Sequence, residues 1–296
     1  MRILLILAGA GLILLGSCHQ KKEAATPLPV QSLTEFSDYY SAPVAEQFYS
    51  AQVGDTFKLF KSLPLGYASD SAKRYPLIIL LDGNAFFEPL LAELKFNSFI
   101  GLIPKSVVVG IGYKNFPVMD SLRSRDYTYP VAIPEYEMTL SGGADKFKKF
   151  IDQELLPRLM KEYKIDSNRT VLCGHSLGGY FTAYYALKSI EENSFPVRSI
   201  VSASPSLYYN NRYLFDMEKR LRQPVNDVPL KLYISMGSED MADEELKGIL
   251  DAFEKQIQDH HYPGLKIKKA EYTNFGHIDA ALPGFLKGLA YSLERK

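Results

Sequence analysis

The sequence of 296 residues has no tryptophan, only two cysteines and no net charge, with 34 Lys and Arg against 34 Asp and Glu. Each shortage excludes a class of protein. Balanced charge removes the concentrated basic surface that counterion release on nucleic acid requires, so no nucleic-acid partner is expected. Cys18 and Cys173 alone cannot build a disulfide framework, so stability must come from a packed core. The apolar run Ile3–Leu15 spans thirteen residues, too few to cross ~30 Å of hydrocarbon as a helix. What remains is 46% hydrophobic, ordinary for a folded globular chain of one large α/β domain.

The short apolar run after Arg2 reads as a secretion signal. It ends in Leu15-Gly16-Ser17-Cys18, which resembles a bacterial lipobox, where small residues admit a signal peptidase before a Cys that is lipidated. Residues 1–17 are therefore expected to be removed, with Cys18 the acylated N-terminus of a tether over 18–43 and a folded body over 44–296. Two or three acyl chains suffice for stable anchoring, which makes the membrane a partner through Cys18. His19 is not the Asp that commonly retains such proteins at the inner membrane. The expected site is the outer membrane or cell surface, with the body in the periplasm or outside. The sequence carries no signal for oligomeric state.

Within the body, β-rich runs from Glu46 to Tyr67 flank Gly54-Asp55, predicting an antiparallel hairpin. Leu77–Leu81 and Ser106–Ile111 are continuous apolar runs suited to strands covered on both faces. Between them Phe86, Phe87, Leu90, Leu91, Leu94 and Phe96 recur at nearly helical spacing. Further strands are predicted at 170–173, 199–202, 230–236 and 265–272. Helices are predicted over 144–163, after Ser176, over 244–258 and over 280–293. This alternation predicts the α/β class, a mostly parallel central sheet with an N-terminal antiparallel hairpin and helices on both faces. Cys173, in an apolar run, is expected to be a buried small hydrophobe.

The most informative string is Gly174-His175-Ser176-Leu177-Gly178-Gly179, between an apolar strand and a helix-forming stretch. A G-x-S-x-G turn in that context presents a serine hydroxyl at the carboxyl edge of a sheet. Serine needs a general base. Of five His, His19 lies in the tether, His175 in the elbow pointing away from Ser176, and His260-His261 near a helix end. His277 follows the last strand, where a loop can carry it over the nucleophile. The orienting acid should follow the strand ending near Met236, in a turn holding Glu239, Asp240 and Asp243. Asp240 is the first choice, Glu239 the second and Asp243 the third. Oxyanion donors are expected from the backbone of Leu177 and of Asn84, with Ala85 close behind, in the turn Asp82-Gly83-Asn84-Ala85.

With these pieces placed, residues from about Glu46 to Leu293 resemble the esterase D family of α/β hydrolases. The resemblance rests on Tyr75–Gly83, Arg125–Thr128, Ser141–Asp145, Glu154–Pro157, Gly174–Gly179, Ser204-Pro205-Ser206 and Gly276-His277. It is strongest to the branch of enterobactin-type siderophore esterases, with carbohydrate-acyl and feruloyl esterases nearby. It implies an α/β-hydrolase fold, Ser176 as nucleophile, His277 as base and a variable Asp or Glu partner. The implied activity is hydrolysis of a carboxylic ester through an acyl-enzyme, on a siderophore ester or on an acetyl or feruloyl sugar. Acyl transfer on the same scaffold and a non-catalytic ligand-binding lipoprotein are the rival readings. The chemistry needs no metal or cofactor. Leu207-Tyr208-Tyr209 stands where relatives often carry Trp. Tyr208 and Arg125 are the candidate substrate contacts, although Arg125 could instead pair with Asp126. Tyr113, Tyr127, Tyr129, Tyr136 and Tyr209 could stack an aromatic acyl group or simply pack.

Overall fold

The computed structural model describes residues 39–67, 72–222, 227–242 and 246–294. Residues 1–38, which hold the predicted leader, Cys18 and His19, lie outside that set, as does Asp243. The eight strands are β1 (Val44–Ser50), β2 (Asp55–Ser62), β3 (Tyr75–Leu80), β4 (Val107–Gly112), β5 (Ile165–His175), β6 (Ser199–Ala203), β7 (Lys231–Gly237) and β8 (Lys266–Tyr272). They form one sheet in the order β1-β2-β4-β3-β5-β6-β7-β8. The β1–β2 hairpin is antiparallel and joins β4 antiparallel, while every pair from β4 to β8 is parallel.

The apolar runs are continuous because both sheet faces are covered, and successive side chains serve opposite cores. Ile78, Leu80, Val108, Val171, Cys173 and Val201 face α1 (Gly83–Phe99) and α8 (Ala281–Leu293). Leu77, Ile79, Val109, Leu172, Ile200 and Ile234 join the core on the other face. Its helices are α2 (Phe116–Tyr127), α3 (Ala144–Lys149), α4 (Leu156–Glu162), α5 (Leu177–Glu191), α6 (Tyr209–Arg220) and α7 (Ile249–His260). The parallel strands all point their carboxyl ends to one edge of the sheet.

Three features differ from the sequence expectation. The folded body begins before Val44, since Tyr40 is buried, pairs with Pro64 and accepts the Ser106 N–H. The helix predicted over 144–163 is broken by a π segment, Phe150–Leu155, directly before the helical turn that holds Pro157. Proline brings no N–H to the ladder and its ring crowds the preceding turn, so the helix widens there. Helix α2 has no counterpart in the prediction. Asn115 caps it by accepting the Val118 N–H, and Pro117 sits in its first turn.

Candidate active site

At the end of β5 the chain turns so sharply that Ser176 adopts φ 59° and ψ −119°. A residue with a Cβ pays strain there, which structure retains only where something over-determines it. Position 174 must be glycine, because a Cβ would lie 2.2 Å from the Gly178 carbonyl oxygen. Leu177 begins α5, so its N–H has no acceptor within the helix and points out of the turn. The Ser206 N–H, which donates to the Ser176 carbonyl, and the Tyr180 N–H, which donates to the same oxygen, pin the elbow from two sides.

The β7 and β8 ends supply the other half of the site. His277 Nδ1 and Asp240 Oδ2 are 2.9 Å apart, so among the acids weighed from sequence Asp240 holds the imidazole. Glu239 is directed elsewhere, with its carboxylate beside Gly276. The turns that carry the pair are joined by the Glu239 N–H donating to the Phe275 carbonyl. Gly237 lies underneath, and a Cβ there would meet the Phe275 oxygen at 2.2 Å and its carbon at 2.8 Å. Backbone atoms cannot step aside cheaply. Gly237→Ala should therefore shift the His277 loop and lower kcat about a hundredfold or more, the usual cost of a misplacement near 1 Å, with a smaller change in KM. Steady-state kinetics beside a thermal melt would check this, and wild-type kcat in the variant would refute it.

His175 joins the two halves, a role its sequence position did not signal. Its Nε2–H donates to the His277 carbonyl at 2.7 Å, and the two rings lie 4.7 Å apart. No hydrogen bond runs directly between Ser176 and His277 among the described residues, so this contact is what fastens the base loop to the elbow. Burial lowers the His175 pKa to about 4, the bond to His277 opposes that, and the charge of Arg123 adds to it. The unfolded chain, with an ordinary His near ~6.5, binds the proton in the window where the folded chain refuses it. Stability contributed by neutral His175 is therefore complete above pH ~6.5 and is lost as pH falls to about 4, by about 3 kcal/mol. Urea titrations across that window should show a flatter pH slope in His175→Gln; an unchanged slope would exclude His175 as the source.

The loop expected to supply the second oxyanion donor follows β3. Asn84 occupies the second position of α1, where a backbone N–H has no intrahelical acceptor. Its side chain is spent on structure, donating to the Tyr113 carbonyl and accepting the Tyr113 N–H. Only its main-chain amide is thus left to act. Ala85, the other candidate, is removed because its N–H donates to the Asp82 carbonyl. Asp82 itself is buried with φ 51° and is held by both nitrogens of an Arg123 fork at 2.9 and 2.8 Å. Arg123 also donates to the His175 carbonyl, so one guanidinium ties that loop to the elbow. Arg123→Met would leave a buried carboxylate unpaired and should cost about 3–5 kcal/mol of stability in a denaturant titration. A loss below 1 kcal/mol would mean that the pair holds nothing.

These turns lie at one edge of one sheet, and the comparison with known proteins adds the lineage. A sequence profile of the family described as "Putative esterase" matches residues 50–277. The chain belongs to that family. Ferri-bacillibactin esterase BesA of Bacillus subtilis is 33% identical over 170 residues, 51% of this chain and 57% of that protein. Apo-salmochelin esterase of Escherichia coli is 35% identical over 145 residues, 46% of this chain and 43% of that protein. The chain thus spans about half the length of the curated relatives it matches. Among solved structures, the enterobactin and salmochelin hydrolase IroE superposes with a TM-score of 0.65 at 26% identity, over 87% of this chain and 96% of that one. The fold is that of the α/β hydrolases.

Two expected substrate contacts of this esterase-family chain have different surroundings. Arg125 spends its guanidinium on Asp126, at 2.7 and 3.0 Å, and on Asp55, at 2.8 Å. The ion-pair reading of Arg125 therefore describes the structure, and the substrate-contact reading does not. Tyr113 and Tyr127 are fully buried core residues and cannot stack a ligand. Tyr208 remains exposed two residues beyond Ser206, and its carbonyl accepts from Tyr136. Tyr136 in turn stacks on Tyr209 at 5.3 Å, and Tyr209 meets Tyr180 edge-on at 5.0 Å. An aromatic wall beside the elbow results. The following residues, Asn210, Asn211 and Arg212, all have positive φ, and the Asn210 side chain bonds Ile133 N–H and the Val131 carbonyl. That strained turn fastens the 130–136 loop to the wall.

Proposed function

We propose that the protein is a serine hydrolase that cleaves a siderophore carboxylic ester through an acyl-enzyme. The observation that carries this reading is the Asp240–His277 hydrogen bond at the same sheet edge as the strained Ser176. Ser176 Oγ attacks the ester carbonyl while His277 Nε2 takes its proton. Asp240 keeps the Nδ1 proton in place and stabilises the imidazolium. The N–H groups of Leu177 and Asn84 receive the developing oxyanion. The alkoxide leaves with the proton from His277. Water, deprotonated by the same imidazole, then attacks the acyl carbonyl and releases Ser176 and a carboxylic acid.

Siderophore esters are favoured over sugar acyl esters because the matched relatives named above are siderophore esterases. The exposed Tyr208 and the half-buried Tyr136 offer faces on which an aromatic acyl group could stack. A fluorophosphonate probe should label Ser176, and a panel of triscatecholate lactones, feruloyl sugars and acetyl sugars should show turnover of the lactones first. Labelling elsewhere, or preference for the sugars, would overturn the reading. We also propose that Cys18 is lipidated and places the domain at the outer membrane or cell surface, on the strength of Leu15-Gly16-Ser17-Cys18. Incorporated palmitate that survives Cys18→Ala would refute that.

A further inference from the structure

The edge of the sheet opposite the site carries an unusual surface. A groove there is lined by Lys73, Arg74, Lys105, Arg169, Lys268 and Lys287, with Glu294 as its one carboxylate. In a chain without net charge, six cations against one acid is a strong local segregation. Among the described residues Arg74, Lys105, Lys268 and Lys287 form no ion pair. Large apolar side chains flank the groove at the end of α1: Phe96, Phe99 and Ile100 are about half exposed, and Leu102 is 58% exposed. Lone exposed apolar residues are ordinary, but four within seven residues beside a basic groove are not. The combination of cations with apolar anchors matches the chemistry of an anionic bilayer, with phosphates outside and acyl chains below.

The chain itself joins the domain here. Tyr39 packs edge-on against Phe99 at 5.8 Å, Lys105 Nζ lies 4.3 Å from the centre of the Tyr39 ring, and Tyr40 bonds to Ser98 and Ser106. Residues 1–38, with the lipobox-like Cys18, precede this point. We propose that this face docks on a bilayer rich in anionic phospholipid, so that the domain rests on the membrane with its catalytic edge turned outward. The strands separate the two edges by roughly 20 Å, at ~3.3 Å per residue of β3. The basic and apolar face supplies that orientation. The surface stands independently of the ester chemistry proposed above.

Hydrogen exchange of the full chain, reconstituted into phosphatidylcholine vesicles with or without one quarter phosphatidylglycerol, tests this. Residues 96–106 should exchange at least fivefold more slowly on the anionic vesicles, and high salt should remove the difference. The combined variant Lys105→Glu, Lys268→Glu, Lys287→Glu should abolish the protection while keeping the wild-type far-UV circular dichroism and a cooperative melt, which shows that it is folded. Equal exchange on both vesicles would overturn the proposal, as would protection that grows with protein concentration in the absence of vesicles, the mark of a second copy on this face. Protection of residues 274–280 in its place would also overturn it, because the catalytic edge would then face the membrane. None of these readings depends on whether Ser176 is a nucleophile.

Discussion

Ser176→Ala should lower kcat for ester hydrolysis by about 10⁴ to 10⁶-fold, because members of a nucleophile–base unit fail together and little more than binding and the oxyanion donors remains. The variant retains a Cβ, so the strain at φ 59° is unchanged and its melting temperature should match that of the wild type. Ser176→Gly separates the two effects. It removes the hydroxyl and also relieves the strained backbone, so it should be equally inactive and about 1 kcal/mol more stable. Single-turnover kinetics with a p-nitrophenyl short-chain ester, beside denaturant titrations, reads both quantities. Turnover of Ser176→Ala within tenfold of the wild type would remove the acyl-enzyme route.

Asp240→Asn should cost about 10³ to 10⁴ in kcat with KM little changed. Asn offers an N–H₂ to His277 Nδ1, which places the ring proton on Nε2, the nitrogen that has to accept the proton of Ser176. Glu239→Gln is the matched control. Its carboxylate lies beside Gly276 and makes no hydrogen bond to His277 among the described residues, so its activity should stay within a few-fold of wild type. If Glu239→Gln proves the more damaging change, the acid in the working enzyme is the neighbour of the one assigned.

Much of the fold was legible because its signals are local. The doubly covered strands advertise themselves as unbroken apolar runs, and Gly174 and Ser176 define a turn that few other sequences permit. The residues that join the turns were not legible. Helix α2 shows little apolar periodicity because its inward side chains include charged ones, Arg123 and Asp126, each matched to a partner from another element or from its own turn. A charged residue facing inward looks in sequence like one facing water. His175 was set aside for a related reason: its target is the backbone carbonyl of His277, and no spacing announces an acceptor 102 positions away. Three carboxylates within five residues could only be ranked on paper, Asp240 first, and it is the hydrogen bond to His277 that separates Asp240 from Glu239. The lone Arg125, read from sequence as either a substrate contact or a partner of Asp126, is settled by Asp55, which comes from the far end of the hairpin.

Cys173 sits in the middle strand of the sheet, wholly enclosed, and its surroundings push its thiol well above the ordinary range for ionisation. An alkylating reagent can meet that sulfur only when α1 and α8 leave the sheet and the core beneath them comes apart. The rate at which the peptide containing it becomes labelled is therefore a stopwatch for opening of the whole domain. It needs no introduced dye, and it can be run on intact cells, where purified-protein melts give no information.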